Sequence, residues 1–305
     1  MAQLSATAQT AAPARGPVVW LDMDQQALDD AYDQEVYAPN RAQLVERRIA
    51  NSERTRAIIG APLRVAYGPS AIEKLDIFRT DRPNAPVNIF IHGGAWRRNK
   101  AADYAVQAEL FIRAGAHHVI LDFINVDEAE GSLFPMAEQV RRAIVWVYRN
   151  AASFGGDPQR LYLTGHSSGS QLGACMVTAD WRAEGLPAGF IKGAVLLSGM
   201  YDLTPVRLSK RSAYVKFTDQ MVEDLSAARH IDRLQTPLIL AYGTYETPEF
   251  QRQTRDFFAA VQAAGKPAAL LVGQGYNHFE LLETLASPYG LTGRAVLEQM
   301  GLGVR

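Results

Sequence analysis

Eight short apolar runs, spaced by longer amphipathic stretches, organise this chain. LRVAYG (63–68) and KLDIFRT (74–80) read as an antiparallel lead-in, and VNIFI (87–91), HVILDFI (118–124), RLYLTG (160–165), GAVLLSG (193–199), PLILAYG (237–243) and AALLVG (268–273) read as buried strands. Between them, helices are expected over 101–115, 136–154, 171–179, 220–228, 248–264 and 279–285, with a last one over 295–300. In the second of these, Ala137, Val140, Ile144, Val147 and Tyr148 recur near the helical period. Strands alternating with helices of this length predict a mostly parallel central sheet covered by helices on both faces, an α/β architecture.

Two further helical stretches, 24–38 and 41–59, precede the sheet. Residues 24–58 are therefore expected as a helical arm, which either packs on the domain as a surface element or covers the site as a cap. Residues 1–16 read as a mobile tail and 17–305 as one domain, because no linker, repeat or low-complexity segment interrupts the pattern after the tail.

The glycines and hydroxyls fall where chemistry would be done. At Gly165-His166-Ser167-Ser168-Gly169 an apolar strand runs into a helix through a very tight turn. A serine there is pushed out above the sheet edge in a strained conformation, and flanking glycines avoid a collision with the neighbouring backbone. A serine hydroxyl needs a base, and the base an acid behind it. Of the six histidines, His117, His118 and His230 lie before strands, at the wrong edge, and His92 and His166 sit inside glycine motifs as braces. His278 follows the 268–273 strand on the same edge as Ser167, so it is the expected base. Glu246, after the 237–243 strand, is the expected acid. Asp202 is its rival, with Glu249 and Asp224 weaker because they sit on helices.

The order nucleophile, acid, base is that of an α/β-hydrolase. The amides of Gly93 and Gly94, directly after a buried strand, and of Ser168 are the expected oxyanion donors. Trp96 is expected to pack under its loop, with a pocket-wall role as the alternative; Arg97, Arg98 and Lys100 are expected to form a solvated basic turn, with contact to a substrate carboxylate as the alternative; and Cys175 is expected to be a small buried hydrophobe.

Totals narrow the classes. The 305 residues are 48% hydrophobic and 21% charged, with a formal net charge of -1, so no steering toward nucleic acid or anionic membrane is built in. No stretch reaches the roughly 20 apolar residues of a membrane span. The amino terminus lacks a basic leader with an apolar core, and the single cysteine forms no internal disulfide; a cytoplasmic location is expected. No GxGxxG, P-loop or HExxH is present, so neither a cofactor nor a metal is expected. The expected partner is a small-molecule acyl substrate, with no nucleic acid and no membrane, and a homo-oligomer is left open.

The motifs HGGAW (92–96), SFGGDPQRLYLTG (153–165), GHSSG (165–169), SGMYDLTP (198–205), GTYETPEF (243–250) and GYNHFELLE (275–283) together resemble the α/β-hydrolase superfamily. The branch they are most similar to is arylformamidase (kynurenine formamidase)-like and carboxylesterase-like. The resemblance covers about residues 63 to 285. It implies Ser167 as nucleophile, His278 as base, Glu246 as acid, and Gly93, Gly94 and Ser168 as the oxyanion hole. In that branch the acid is commonly Asp where this chain has Glu246, and formamidases tend to show HGGYW where this chain has Ala95. The implied function is cofactor-free hydrolysis of a small carboxylic ester or N-acyl (formamide-type) bond through an acyl-enzyme. The alternatives are a non-catalytic ligand-binding protein on the same fold, or a lyase or acyltransferase on that scaffold. A chain that fills all three triad positions favours the hydrolase.

Overall fold

The computed structural model describes residues 16–303; the tail expected over 1–16 lies outside them but for Gly16. A small antiparallel hairpin, β1 (Val18–Trp20) and β2 (Met23–Asp24), comes first. The main sheet is built from β3 (Leu63–Ala66), β4 (Lys74–Phe78), β5 (Ala85–Ile91), β6 (His117–Leu121), β7 (Gly156–His166), β8 (Ile191–Leu197), β9 (Leu238–Gly243) and β10 (Ala268–Gly273). Their spatial order is β10-β9-β8-β7-β5-β6-β4-β3. Only β4 runs against its neighbours β3 and β6; every other pairing is parallel. Parallel strands need crossovers that place helices on both faces, and so both faces of the central strands are buried. Every residue of β5 and β6 is buried, including the polar Asn88, His117 and His118.

Before the sheet, the arm consists of α1 (Gln25–Ala31), α2 (Gln34–Tyr37) and α3 (Arg41–Ile59). The crossovers then supply α4 (Ala108–Ala114), α5 (Phe134–Asn150), α6 (Ser168–Val177), α7 (Thr204–Leu208), α8 (Asp219–Asp224) and α9 (Pro248–Ala263), and α10 (His278–Glu283) and α11 (Leu291–Gln299) follow the last strand. Alternate β5 side chains feed two cores. Ile89 and Ile91 join Val140 and Ile144 of α5, Leu172 of α6 and Phe257 of α9, while Phe90 joins Phe111 of α4 and Val296 of α11. The amphipathic stripe of α5 lies as its spacing implies, with Tyr148 only half-buried at the rim.

Where sequence and structure part, a competing contact explains it. The helix expected over 101–115 begins as a 3-10 turn, Ala101–Gln107, and becomes α-helical only from Ala108. Polar side chains of α3 take its carbonyls. Ser52 Oγ donates to Asp103 O at 3.0 Å, Arg48 Nε to the same oxygen at 3.3 Å, and Arg56 to Ala102 O at 2.6 Å. The helix expected over 220–228 stops at Asp224 and resumes as a 3-10 turn, Ala227–Arg229. The hairpin and α7 were not legible, being too short for a periodic signal.

Candidate active site

Strand β7 ends at His166 and α6 begins at Ser168, so Ser167 alone makes the turn, at φ 59 and ψ -126. A non-glycine residue at such a φ is strained, and strain of this kind persists only where surroundings over-determine it. Here the Ser167 amide is held by Leu197 O at 2.9 Å. The glycines answer to space: a Cβ on Gly169 would stand 2.0 Å from Ile91 O, and one on Gly165 2.8 Å from Gly169 O. Bare backbone is what lets α6 pack this closely against β5 and β7.

His278 opens α10, capped by Asn277, whose side chain accepts from the amides of Phe279 and Glu280. Its Nδ1–H donates to Glu246 Oε2 at 2.8 Å, so Nε2 is the free lone-pair nitrogen. Glu246, in the turn after β9, accepts on its other oxygen from Ser198 Oγ at 2.6 Å and from the Gly243 amide at 2.7 Å. Both side chains are buried, at 3% and 0% exposure. Burial lowers the pKa of His278, with the charge of Arg211 acting the same way. Burial raises that of Glu246, opposed by the Ser198 and Gly243 donors. Asp202 is not brought to His278; its Oδ1 instead accepts from the Thr204 amide and hydroxyl at the start of α7. Glu249 is buried against Arg252 and Tyr32, and Asp224 accepts from Gln220 on the surface.

The segment after β5 carries the third component. Gly93 approaches Ser167 so closely that a Cβ there would lie 2.8 Å from Ser167 Cβ and 2.6 Å from His166 O, and Gly94 has φ +127. Ala95 and Trp96 also have positive φ, at 56 and 62, as does Asn99 at 82. The loop is pinned by Trp96, whose amide donates to Ser168 Oγ at 3.2 Å and whose indole donates to Gln171 at 3.0 Å. Asn99 adds a bond to Gly93 O at 2.9 Å. Gly93 thus lies against Ser167, Gly94 lines the same cavity, and Ser168 stands at the positive end of α6.

A serine on a strained elbow, a histidine held by a carboxylate and a glycine loop share the carboxyl edge of one parallel sheet. The family described as BD-FAE matches residues 75–188, from β4 past the elbow. The kynurenine formamidase of Danio rerio is 26% identical over 295 residues, covering 92% of this chain and 98% of its own. Esterase LipQ of Mycobacterium tuberculosis is 28% identical over 266 residues, covering 78% of this chain and 61% of its own. Among solved structures, the propionate-bound thermophilic esterase Est2 of Thermogutta terrifontis superposes with a TM-score of 0.67 at 22% identity, over 81% of this chain and 97% of that one.

The chain has the α/β-hydrolase fold, and its similarities lie with formamidases and carboxylesterases. In this hydrolase Ser167 and His278 open onto a cavity of about 350 Å³, whose walls include Tyr32, Asp33 and Glu35 of the arm, Gly94 and Ala95 of the loop, and Arg211 and Tyr214 from the β8–β9 crossover. Ser167 and His278 both line that cavity, with no hydrogen bond between their side chains.

The other histidines serve elsewhere in the hydrolase. His166 donates from Nε2 to His278 O at 3.0 Å and so braces the backbone of His278. His92 stacks on Phe123 at 4.5 Å; His118 lies within 3.0 Å of Asn88; His117 accepts from the Thr80 amide; and His230 donates to Glu223 O. Arg97 pairs with Asp127. Lys100 caps the 3-10 turn. Cys175 is buried, its thiol pushed up to about 12. Among the described residues no cluster of ligating side chains suits a metal, and no helix is long and apolar enough to cross a membrane. Ser198 is a partner that sequence reasoning passed over. Its position directly after a buried strand, one strand from the elbow, was the available signal.

Proposed function

We propose that the hydrolase cleaves a small-molecule carboxylic ester or N-acyl (formamide-type) bond through an acyl-enzyme on Ser167. The observation that carries the reading is the 2.8 Å bond from His278 Nδ1 to Glu246, which leaves Nε2 as acceptor on the edge where the elbow presents Ser167. Support also comes from the formamidase and esterase relatives.

In this reading Ser167 Oγ gives its proton to His278 Nε2 and attacks the carbonyl carbon. The oxyanion takes hydrogen bonds from the amides of Gly93, Gly94 and Ser168. His278 then gives the proton to the departing oxygen or nitrogen, and the acyl group remains on Ser167. Water, deprotonated by the same nitrogen, releases the acid. Glu246 keeps the imidazole in the required tautomer and stabilises its charged form; Ser198 holds Glu246.

Residues 17–305 act as one domain in this proposal, with the arm over 24–58 as a cap, since Tyr32, Asp33 and Glu35 line the cavity. A cytoplasmic setting suits a chain whose one cysteine is free. The test is a panel of aryl esters of graded acyl length together with N-formyl-kynurenine, run on the purified protein. Saturable turnover of either class supports the proposal, and none of any compound contradicts it.

A further inference from the structure

The cavity beside Ser167 is strongly basic for a chain of net charge -1. Arg41, Arg48, Arg97, Arg98, Lys210 and Arg211 line it, against the carboxylates of Asp33 and Glu35 alone. Four of the six cations are already paired: Arg41 and Arg98 with Glu35, Arg97 with Asp127, and Lys210 with Asp33. Arg48 and Arg211 form no salt bridge with a carboxylate among the described residues, Asp33 acting on Arg211 only at longer range, yet they are the buried ones, at 7% and 6% exposure.

Arg48 is largely occupied. It lies over the Tyr104 ring at 4.3 Å and donates, over long distances, to Asp103 O at 3.3 Å and Asn99 Oδ1 at 3.4 Å. Arg211 is not. Its two terminal nitrogens donate once each, to Tyr214 Oη at 2.8 Å and Tyr32 O at 2.9 Å. A guanidinium has five N–H groups, so one hydrogen on each terminal nitrogen is unspent, and Nε is buried with no partner. Its guanidinium faces the Trp96 ring at 5.5 Å, beside the loop that carries the oxyanion donors. Burying an ion without a directly bonded counter-charge is costly, and a guanidinium fork with unspent donors matches one ligand well: a carboxylate accepting two parallel hydrogen bonds.

We infer that Arg211 is a specificity-determining residue that binds a carboxylate on the substrate, so that the preferred compounds are esters or amides carrying an acid group in either the acyl or the leaving portion. This rests on the hydrolase reading above and narrows its substrate class. Binding has a second effect: a carboxylate on Arg211 offsets the charge that disfavours the His278 imidazolium, easing proton transfer in the complex.

The experiment compares isosteric pairs on the full chain. Mono-p-nitrophenyl glutarate against p-nitrophenyl pentanoate places the charge in the acyl portion; p-acetoxybenzoate against p-tolyl acetate places it in the leaving portion. The wild type is expected to favour the charged member in at least one pair by about 10-fold or more in kcat/KM, the worth of a charge-assisted hydrogen bond. Arg211→Gln is expected to lose about that factor in the ratio, and Arg211→Lys to retain part of it. Equal or reversed preference in both pairs by the wild type overturns the inference while leaving the hydrolase reading intact. So does an Arg211→Gln ratio equal to wild type, or an equal fall in both rates of a pair. Turnover of none of the four esters overturns the hydrolase reading and this one with it. Should Arg211→Gln fail to fold by circular dichroism, the wild-type ratios decide alone.

Discussion

Ser198 Oγ donates to Glu246 Oε1 at 2.6 Å, the oxygen opposite the one that holds His278. Ser198 stands just past the end of β8, with a positive φ of 54 like Ser167, and it fixes the rotation of the carboxylate on which the imidazole depends. Losing a hydrogen bond to a charged group costs roughly 1.5–3 kcal/mol. Ser198→Ala is therefore expected to lower kcat by about 10-fold or more, with KM little changed. Steady-state kinetics on an aryl ester check this, and an unchanged kcat contradicts it.

The choice between acids is equally open to measurement. Glu246→Ala is expected to lower kcat by about 10⁴-fold, as loss of a triad acid does elsewhere. Asp202→Ala, whose carboxylate accepts from Thr204, is expected to stay within a few-fold of wild type. The reverse ranking would move the acid to the β8 loop.

The pH profile follows from the buried pair. His278 must be neutral to take a proton, and burial lowers its pKa while raising that of Glu246. Two groups this close take up a proton as a unit. Activity is thus full above the apparent pKa of the pair and lost as pH falls through it. In Glu246→Gln no carboxylate can take that proton, and the imidazolium has lost its counter-charge, so the acid limb of kcat/KM is expected at lower pH on the residual activity. A limb at the wild-type pH contradicts the assignment.

Gly169 carries the tightest contact at the elbow, a hypothetical Cβ 2.0 Å from Ile91 O and 2.6 Å from His92 O. Both neighbours are backbone in the sheet's centre and cannot step aside. Gly169→Ala is expected to destabilise the fold by about 3 kcal/mol or more. Gly185→Ala, with no atom within 4 Å but a φ of +70, is expected to cost about 1 kcal/mol. Denaturant midpoints of the two variants check the ranking.

Much of this site was legible before any coordinates, for a physical reason. In a parallel sheet, chain direction assigns each strand end to an edge, so motif position alone brings Ser167, Gly93, Glu246 and His278 to the same side. What escaped sequence depends on contacts between distant segments. The 3-10 turn at Ala101–Gln107 is imposed by Ser52, Arg48 and Arg56 reaching over from α3. The brace from His166 to His278 O spans 112 positions, and Arg211 enters the cavity from a crossover with no periodic signal. The basic turn at Arg97–Arg98 was visible in sequence, but its neighbours Asp127 and Glu35, which partner those charges, were not.

The most direct test of the account is covalent labelling with a fluorophosphonate, read by intact mass and peptide mapping. A serine without an activating base does not react, so one adduct per chain on Ser167 is the expected result, abolished in Ser167→Ala together with a fall in kcat of about 10⁶-fold. An unlabelled wild type, or a Ser167→Ala protein that turns over ester at the wild-type rate, would contradict it.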